Sequence, residues 1–143
     1  MPADMMFADR DDMPAKTTSE RQRYYLERAA RVAMKSTMTH KHGAIIVRND
    51  EVISEGFNHH FTHMCHKFSI HAEADAIHKI KKVTHISECE LYVVRISKPS
   101  MNHCLKYSKP CNDCQRCIER AGIKRTYYST NQEWEAFIQN VKC

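Results

Sequence analysis

Ser69-Ile70-His71-Ala72-Glu73-Ala74-Asp75-Ala76-Ile77-His78-Lys79-Ile80-Lys81-Lys82 and, further on, Pro110-Cys111-Asn112-Asp113-Cys114 are the stretches on which this chain is organised. The first is rich in helix formers and free of Gly and Pro, so it predicts a helix with His71 in its first turn. In the second, Pro110 suits a helix start, and Cys111 and Cys114 at i, i+3 share one face of the helix that follows. Two helix starts therefore point at one place.

One His and two Cys there can supply three zinc ligands and leave a fourth position open, the layout of a catalytic rather than a closed structural site. Their position at the positive ends of two helices favours the thiolates of Cys111 and Cys114 and the carboxylate of Glu73. Glu73, two residues after His71, is placed to handle the protons of a metal-activated water instead of binding the metal. C-x-x-C alone is often a zinc knuckle or a redox pair, and a lone H-x-E arises by chance. The two together, each at a helix start between strands, are far more specific.

The chain has 143 residues, enough for one domain with a real core and too few for two. Its 42% hydrophobic and 27% charged residues are ordinary for a soluble globular protein. No apolar run approaches a membrane span, and the N-terminus lacks the layout of a signal peptide, so a cytoplasmic protein with no membrane partner is expected. Cys111, Cys114 and Cys117 repeat along one helix, which suits ligands and a buried neighbour better than disulfides. A net charge of +5 favours anionic partners, nucleotides or nucleic acid, without choosing between them.

Residues 1–18 show no periodicity and read as a flexible arm; residues 19–143 read as a single domain. Ser19-Glu20-Arg21-Gln22 is a capping box opening a helix that runs to about Met34. Ala44-Ile45-Ile46-Val47 is a buried strand, Arg48-Asn49-Asp50 a turn, and Glu51 to Phe57 the antiparallel return. Asn58 to Phe68 reads as a loop feeding the His71 helix. Glu90 to Ile96 and Thr126 to Ser129 are further strands, and Gly122 ends the Cys111 helix. Asn131 caps a last helix with Trp134, Phe137, Ile138 and Val141 on its apolar face. This order predicts a sheet covered by helices on both faces, parallel where helices cross over between the later strands.

At this point the residues resemble the cytidine deaminase superfamily, and most closely its deoxycytidylate deaminase-like branch, whose H-x-E…P-C-x-x-C signature they carry. The likeness runs from the first helix through Ser129. It rests on Gly43-Ala44-Ile45-Ile46-Val47, Gly56-Phe57-Asn58, His71-Ala72-Glu73, Leu91-Tyr92-Val93, Pro110-Cys111-Asn112-Asp113-Cys114 and Ala121-Gly122-Ile123-Lys124. The resemblance implies a three-layer α/β/α fold with a mixed sheet of four to five strands, and zinc held by His71, Cys111 and Cys114. It implies Glu73 as the proton shuttle in conversion of cytosine to uracil, with dCMP to dUMP foremost. Asn58 and the Ala72 backbone would contact the substrate, and Tyr127 or Tyr128 would lie beside it, since strand alternation lets only one face the pocket. A homo-oligomer is also implied. The thirteen residues of 97–109 depart from the family, which passes almost directly from strand to Pro-Cys, and the fifth strand of many relatives is not expected.

His59, His60, His63, Cys65 and His66 crowd into eight residues. With His103 or Cys104 they offer donors for a second, structural zinc, although no pair has knuckle spacing; a solvated loop is the simpler account. His60, Lys67 and Lys109 are the nearest candidates for a substrate phosphate. Two alternatives to a nucleotide or nucleoside deaminase remain: a deaminase of nucleic acid (tRNA adenosine or single-stranded cytidine), and a catalytically silent zinc scaffold, against which the intact Glu73 argues.

Overall fold

The computed structural model describes residues 19–80, 86–97 and 105–129. The arm expected over 1–18, the last helix expected after Asn131, and His103 and Cys104 lie outside these residues.

Helix α1 (Glu20–Ala33) begins at the capping box: Ser19 Oγ accepts from the Gln22 N–H, and the Gln22 side chain accepts from the Ser19 N–H. β1 (Lys41–Arg48) and β2 (Glu51–Phe57) pair antiparallel through a two-residue turn, Asn49-Asp50, both at positive φ. That is the conformation a tight hairpin requires and that Asn and Asp tolerate.

The segment read as a loop after Asn58 is instead a hairpin, β3 (His59–His63) and β4 (His66–Ile70), forming a two-stranded sheet of its own. α2 (Ala72–His78) follows. It ends earlier than its composition predicts, with Lys79 capping it. A single 3-10 turn, Ile86–Glu88, leads into β5 (Glu90–Ile96). The 97–109 insert contributes β6 (Leu105–Lys106), then come α3 (Asn112–Ala121) and β7 (Arg125–Tyr128).

β5 is central: β1 pairs antiparallel along one edge, with β2 beyond it. On the other edge β7 runs parallel beside Glu90–Val93, and the short β6 runs antiparallel beside Arg95–Ile96. The parallel pairing is the one expected of a helical crossover. The sheet is thus mixed, with five strands among the described residues.

Alternation sorts the core into two layers. Ile45, Val47, Tyr92, Val94 and Tyr127 pack against Tyr25, Leu26, Ala29 and Val32 of α1. Ala44, Ile46, Leu91, Val93 and Tyr128 pack with Ala72 and Ala76 of α2 and Ile118 of α3. β1 and β5 are buried on both faces, which is why their sequences are nearly unbroken apolar runs. The result is a three-layer α/β/α architecture.

Close approach of α2 to the sheet depends on Gly56: a Cβ there would run into the Ala76 N–H and the Ala72 carbonyl. Ser54 Oγ donates to the Ala76 carbonyl at 2.6 Å, and Asp75 accepts from the Phe57 N–H at 3.1 Å. Backbone proximity and two hydrogen bonds fix α2 on β2.

Candidate active site

His71 and Cys111 occupy the same structural position: each is the N-cap residue of its helix, with extended backbone, one residue earlier than a first-turn reading gives. Pro110 correspondingly precedes the cap. Neither side chain caps its own helix. His71 Nδ1 instead lies 3.2 Å from Cys114 Sγ and 3.7 Å from Cys111 Sγ, and the three donor atoms are all within 4.8 Å of one another. A tetrahedral zinc with sulfur at about 2.3 Å and nitrogen at about 2.0 Å spaces its donors roughly 3.5–3.8 Å apart, so the cluster fits such an ion. Cys114 is buried and burial pushes its thiol well above the usual range, with the Glu73 carboxylate adding to the effect. A divalent cation among these groups would reverse that preference.

Glu73 projects from the first turn of α2 and is 5% exposed. Burial raises its carboxyl above the ordinary range; its own backbone N–H, His71 and Cys114 pull the other way. A carboxyl displaced in that direction is suited to taking up a proton and giving it back.

These groups open onto a cavity of about 500 Å³, within the range that holds small ligands. Asn58, Ala72, Glu73, His71 and Cys111 line it. Asn58 is tightly held: its Oδ1 accepts from the His42 N–H at 2.8 Å and its Nδ2 donates to the His40 carbonyl at 2.6 Å. One further acceptor lone pair and one further N–H remain to that amide.

Tyr127 and Tyr128 do fall on opposite faces of the sheet, but neither is among the described side chains lining the cavity. Tyr127 stacks on Tyr92 with ring centroids 4.9 Å apart under α1, and Tyr128 meets Tyr107 edge-on at 5.8 Å on the other face. Both fill the core.

Sequence reasoning passed over His40 and His42, which line the cavity beside His60, Ser108 and Lys109. The available signal was a pair of histidines two apart, one just before a buried strand and one at its start. Burial holds the His42 imidazole down at about 4, with the charges of Arg95 and His71 acting in the same sense against a hydrogen bond at His40. The insert reaches the cavity through Ser108, whose Oγ donates to the Val93 carbonyl at 2.9 Å and accepts from the Ser129 N–H at 3.0 Å. Lys109 and Cys111 are thereby tied to the sheet. Among the described side chains, His71, Cys111 and Cys114 are the one cluster of three metal-ligating groups. In the hairpin register His60 is opposite Ser69 and His63 opposite His66.

The cytidine and deoxycytidylate deaminase zinc-binding region matches residues 19–130. No curated protein matches the chain. Among solved structures, the apo dCMP deaminase of cyanophage S-TIM5 is similar, with 26% identity, a TM-score of 0.60, and coverage of 87% of this chain and 94% of that one. The same phage enzyme solved with dCMP and dUMP gives 23% identity and a TM-score of 0.57 over 88% and 95% of the two chains. Guanine deaminase from Bacillus subtilis shares the fold at 22% identity and a TM-score of 0.50, over 79% of this chain and 68% of that one. With a His–Cys–Cys cluster beside its cavity and a family match over most of its length, the chain belongs to the cytidine and deoxycytidylate deaminase zinc-binding family.

Proposed function

We propose that this protein is a zinc-dependent hydrolytic deaminase of a free cytosine nucleotide, converting dCMP to dUMP with release of ammonia. The observation that carries the reading is the buried Glu73 carboxyl beside the His71–Cys111–Cys114 cluster, in a cavity of mononucleotide size. The likeness to a phage dCMP deaminase over nearly its whole length supports the choice of substrate.

His71, Cys111 and Cys114 would hold the zinc. When bound, the metal supplies Lewis acidity that makes water a usable nucleophile near neutral pH. Glu73 takes a proton from the attacking water and delivers it to the ring nitrogen of cytosine. It then passes a second proton to the exocyclic amine, which leaves as ammonia, so that cytosine and water become uracil and ammonia. Burial makes that carboxyl a stronger base than an exposed one, which favours the first transfer. Asn58 presents its remaining amide hydrogen-bonding capacity to the sugar, and the Ala72 backbone lies against the base.

The test is ammonia release by zinc-loaded protein offered cytidine, deoxycytidine, CMP, dCMP and a cytosine-containing oligonucleotide in parallel. Turnover of dCMP above the others, abolished in Glu73→Ala while zinc content is kept, is the expected result. Turnover confined to the oligonucleotide would replace this reading with deamination of nucleic acid.

A further inference from the structure

The cavity wall is rich in imidazoles. His40, His42, His60, His71 and Lys109 are basic, and among the described lining residues Glu73 is the one carboxylate. His40 is held by both its backbone and its ring. Its carbonyl accepts from Asn58 Nδ2 at 2.6 Å, and its Nδ1 lies 2.9 Å from Arg95 Nη2.

That second contact settles the chemistry of the ring. A guanidinium has N–H donors and no acceptor, and it does not deprotonate in proteins. Arg95 must therefore donate, and His40 Nδ1 must accept with a bare lone pair. A neutral imidazole with Nδ1 bare carries its proton on Nε2. The contact holds His40 as a neutral ring with one donor, Nε2–H, and a permanent positive charge behind it.

Arg95 is well placed to do this. Its backbone sits in β5 opposite His42 on one side and Lys106 of β6 on the other, and its Nε is buried without a hydrogen-bond partner among the described residues. The backbone that carries the guanidinium is thus fixed by the sheet register and by the insert together.

We infer that Arg95 is a positioning residue that locks His40 in its Nε2–H tautomer, and that His40 donates this hydrogen to the phosphate of a nucleoside 5′-monophosphate. The inference rests on the nucleotide reading above and adds the residues that set the preference for phosphorylated substrate. Phosphate is favoured over a hydroxyl because its charge also gains from the fixed guanidinium behind the ring, whereas a neutral hydroxyl gains only the hydrogen bond.

The experiment compares wild type with His40→Phe, Arg95→Met and Arg95→Lys, all zinc-loaded. It measures dissociation constants for dCMP and deoxycytidine by calorimetry, kcat/KM for both, and the His40 ring nitrogens by 15N NMR. The spectra should show a bare Nδ1 in wild type and in Arg95→Lys, whose ammonium is also a pure donor, and exchange between tautomers in Arg95→Met. The preference for dCMP over deoxycytidine should fall about ten- to a hundredfold in His40→Phe and Arg95→Met, as loss of a hydrogen bond to a charged group implies, and should recover in part in Arg95→Lys. A protonated Nδ1 in folded wild type overturns the lock. An unchanged dCMP preference in His40→Phe overturns the phosphate assignment. If wild type deaminates neither ligand, the nucleotide-deaminase reading fails by itself, and the ratio of dissociation constants across the same variants still decides the role of His40.

Discussion

His71 and Cys111 stand where a Ser, Thr, Asp or Asn would ordinarily cap a helix, and both turn away from that duty toward the metal cluster. The helix starts consequently lack a side-chain cap, a stability cost accepted at a site that needs its ligands on rigid elements. In His71→Ser the two roles separate. The variant should lose zinc in a metal assay, yet in chelator its melting point should rise above that of metal-free wild type by about 3 °C, for a cap of about 1 kcal/mol. A lower melting point than metal-free wild type would show that the imidazole packs rather than merely waits for its ion. Cys117→Ala is the companion variant. Cys117 is half-buried on the same helix but outside the three-donor cluster, so zinc content should not change.

At the scale of elements, two hairpins show what a sequence makes legible. The β1–β2 turn uses Asn49-Asp50, residues that tolerate positive φ, and the strands beside it are β-branched; its reading was straightforward. The β3–β4 turn takes the same backbone shape from Met64-Cys65, at φ 52° and 70°, residues that signal no turn at all. Its strands, His59-His60-Phe61-Thr62-His63 and His66-Lys67-Phe68-Ser69-Ile70, carry a single phenylalanine at the centre of each among mostly polar residues. The pair Phe61–Phe68 stacks across the strands at 5.3 Å while both rings stay about two-fifths exposed, a pattern that periodicity does not flag. Replacing Met64-Cys65 by Asn-Gly should stabilise the hairpin by about 1 kcal/mol or less, read as slower amide exchange in β3 and β4 with little change elsewhere. The opposite sign is expected for Gly56→Ala. An added methyl there meets α2 backbone and not a side chain that could swing away, so the helix carrying Glu73 must shift. A loss of about 1–3 kcal/mol in denaturant midpoint, with a larger proportional loss of turnover, is the expected result.

Across the whole molecule, the His71–Cys111–Cys114 cluster was legible because metal-ligand chemistry demands particular residues at particular spacings. The cavity wall was not, because it is assembled from β1, the β3–β4 hairpin, the start of α2 and the insert, which only the sheet brings together. His42 belongs to that wall, and its energetics give a prediction for the protein as a unit. In the unfolded chain its imidazole takes up a proton near 6.5, whereas in the fold burial delays this to about 4. Between those values the unfolded state binds more protons, so acid favours unfolding and stability falls as pH drops through the window. Asp75 works in the same direction at lower pH. Burial would raise its carboxyl, but Lys79, the Phe57 N–H and His59 outweigh that and hold it below the usual range, so its contribution is lost as it protonates. Glu73 works oppositely, because its raised carboxyl makes the charged form costly as pH rises. The three contributions separate by subtraction. Stability of wild type minus that of His42→Gln, by urea unfolding at matched zinc loading, should decline from pH 6.5 to pH 4 and be level above pH 7. A level difference across the whole range would mean that the His42 ring takes its proton in the folded protein as readily as in the unfolded chain.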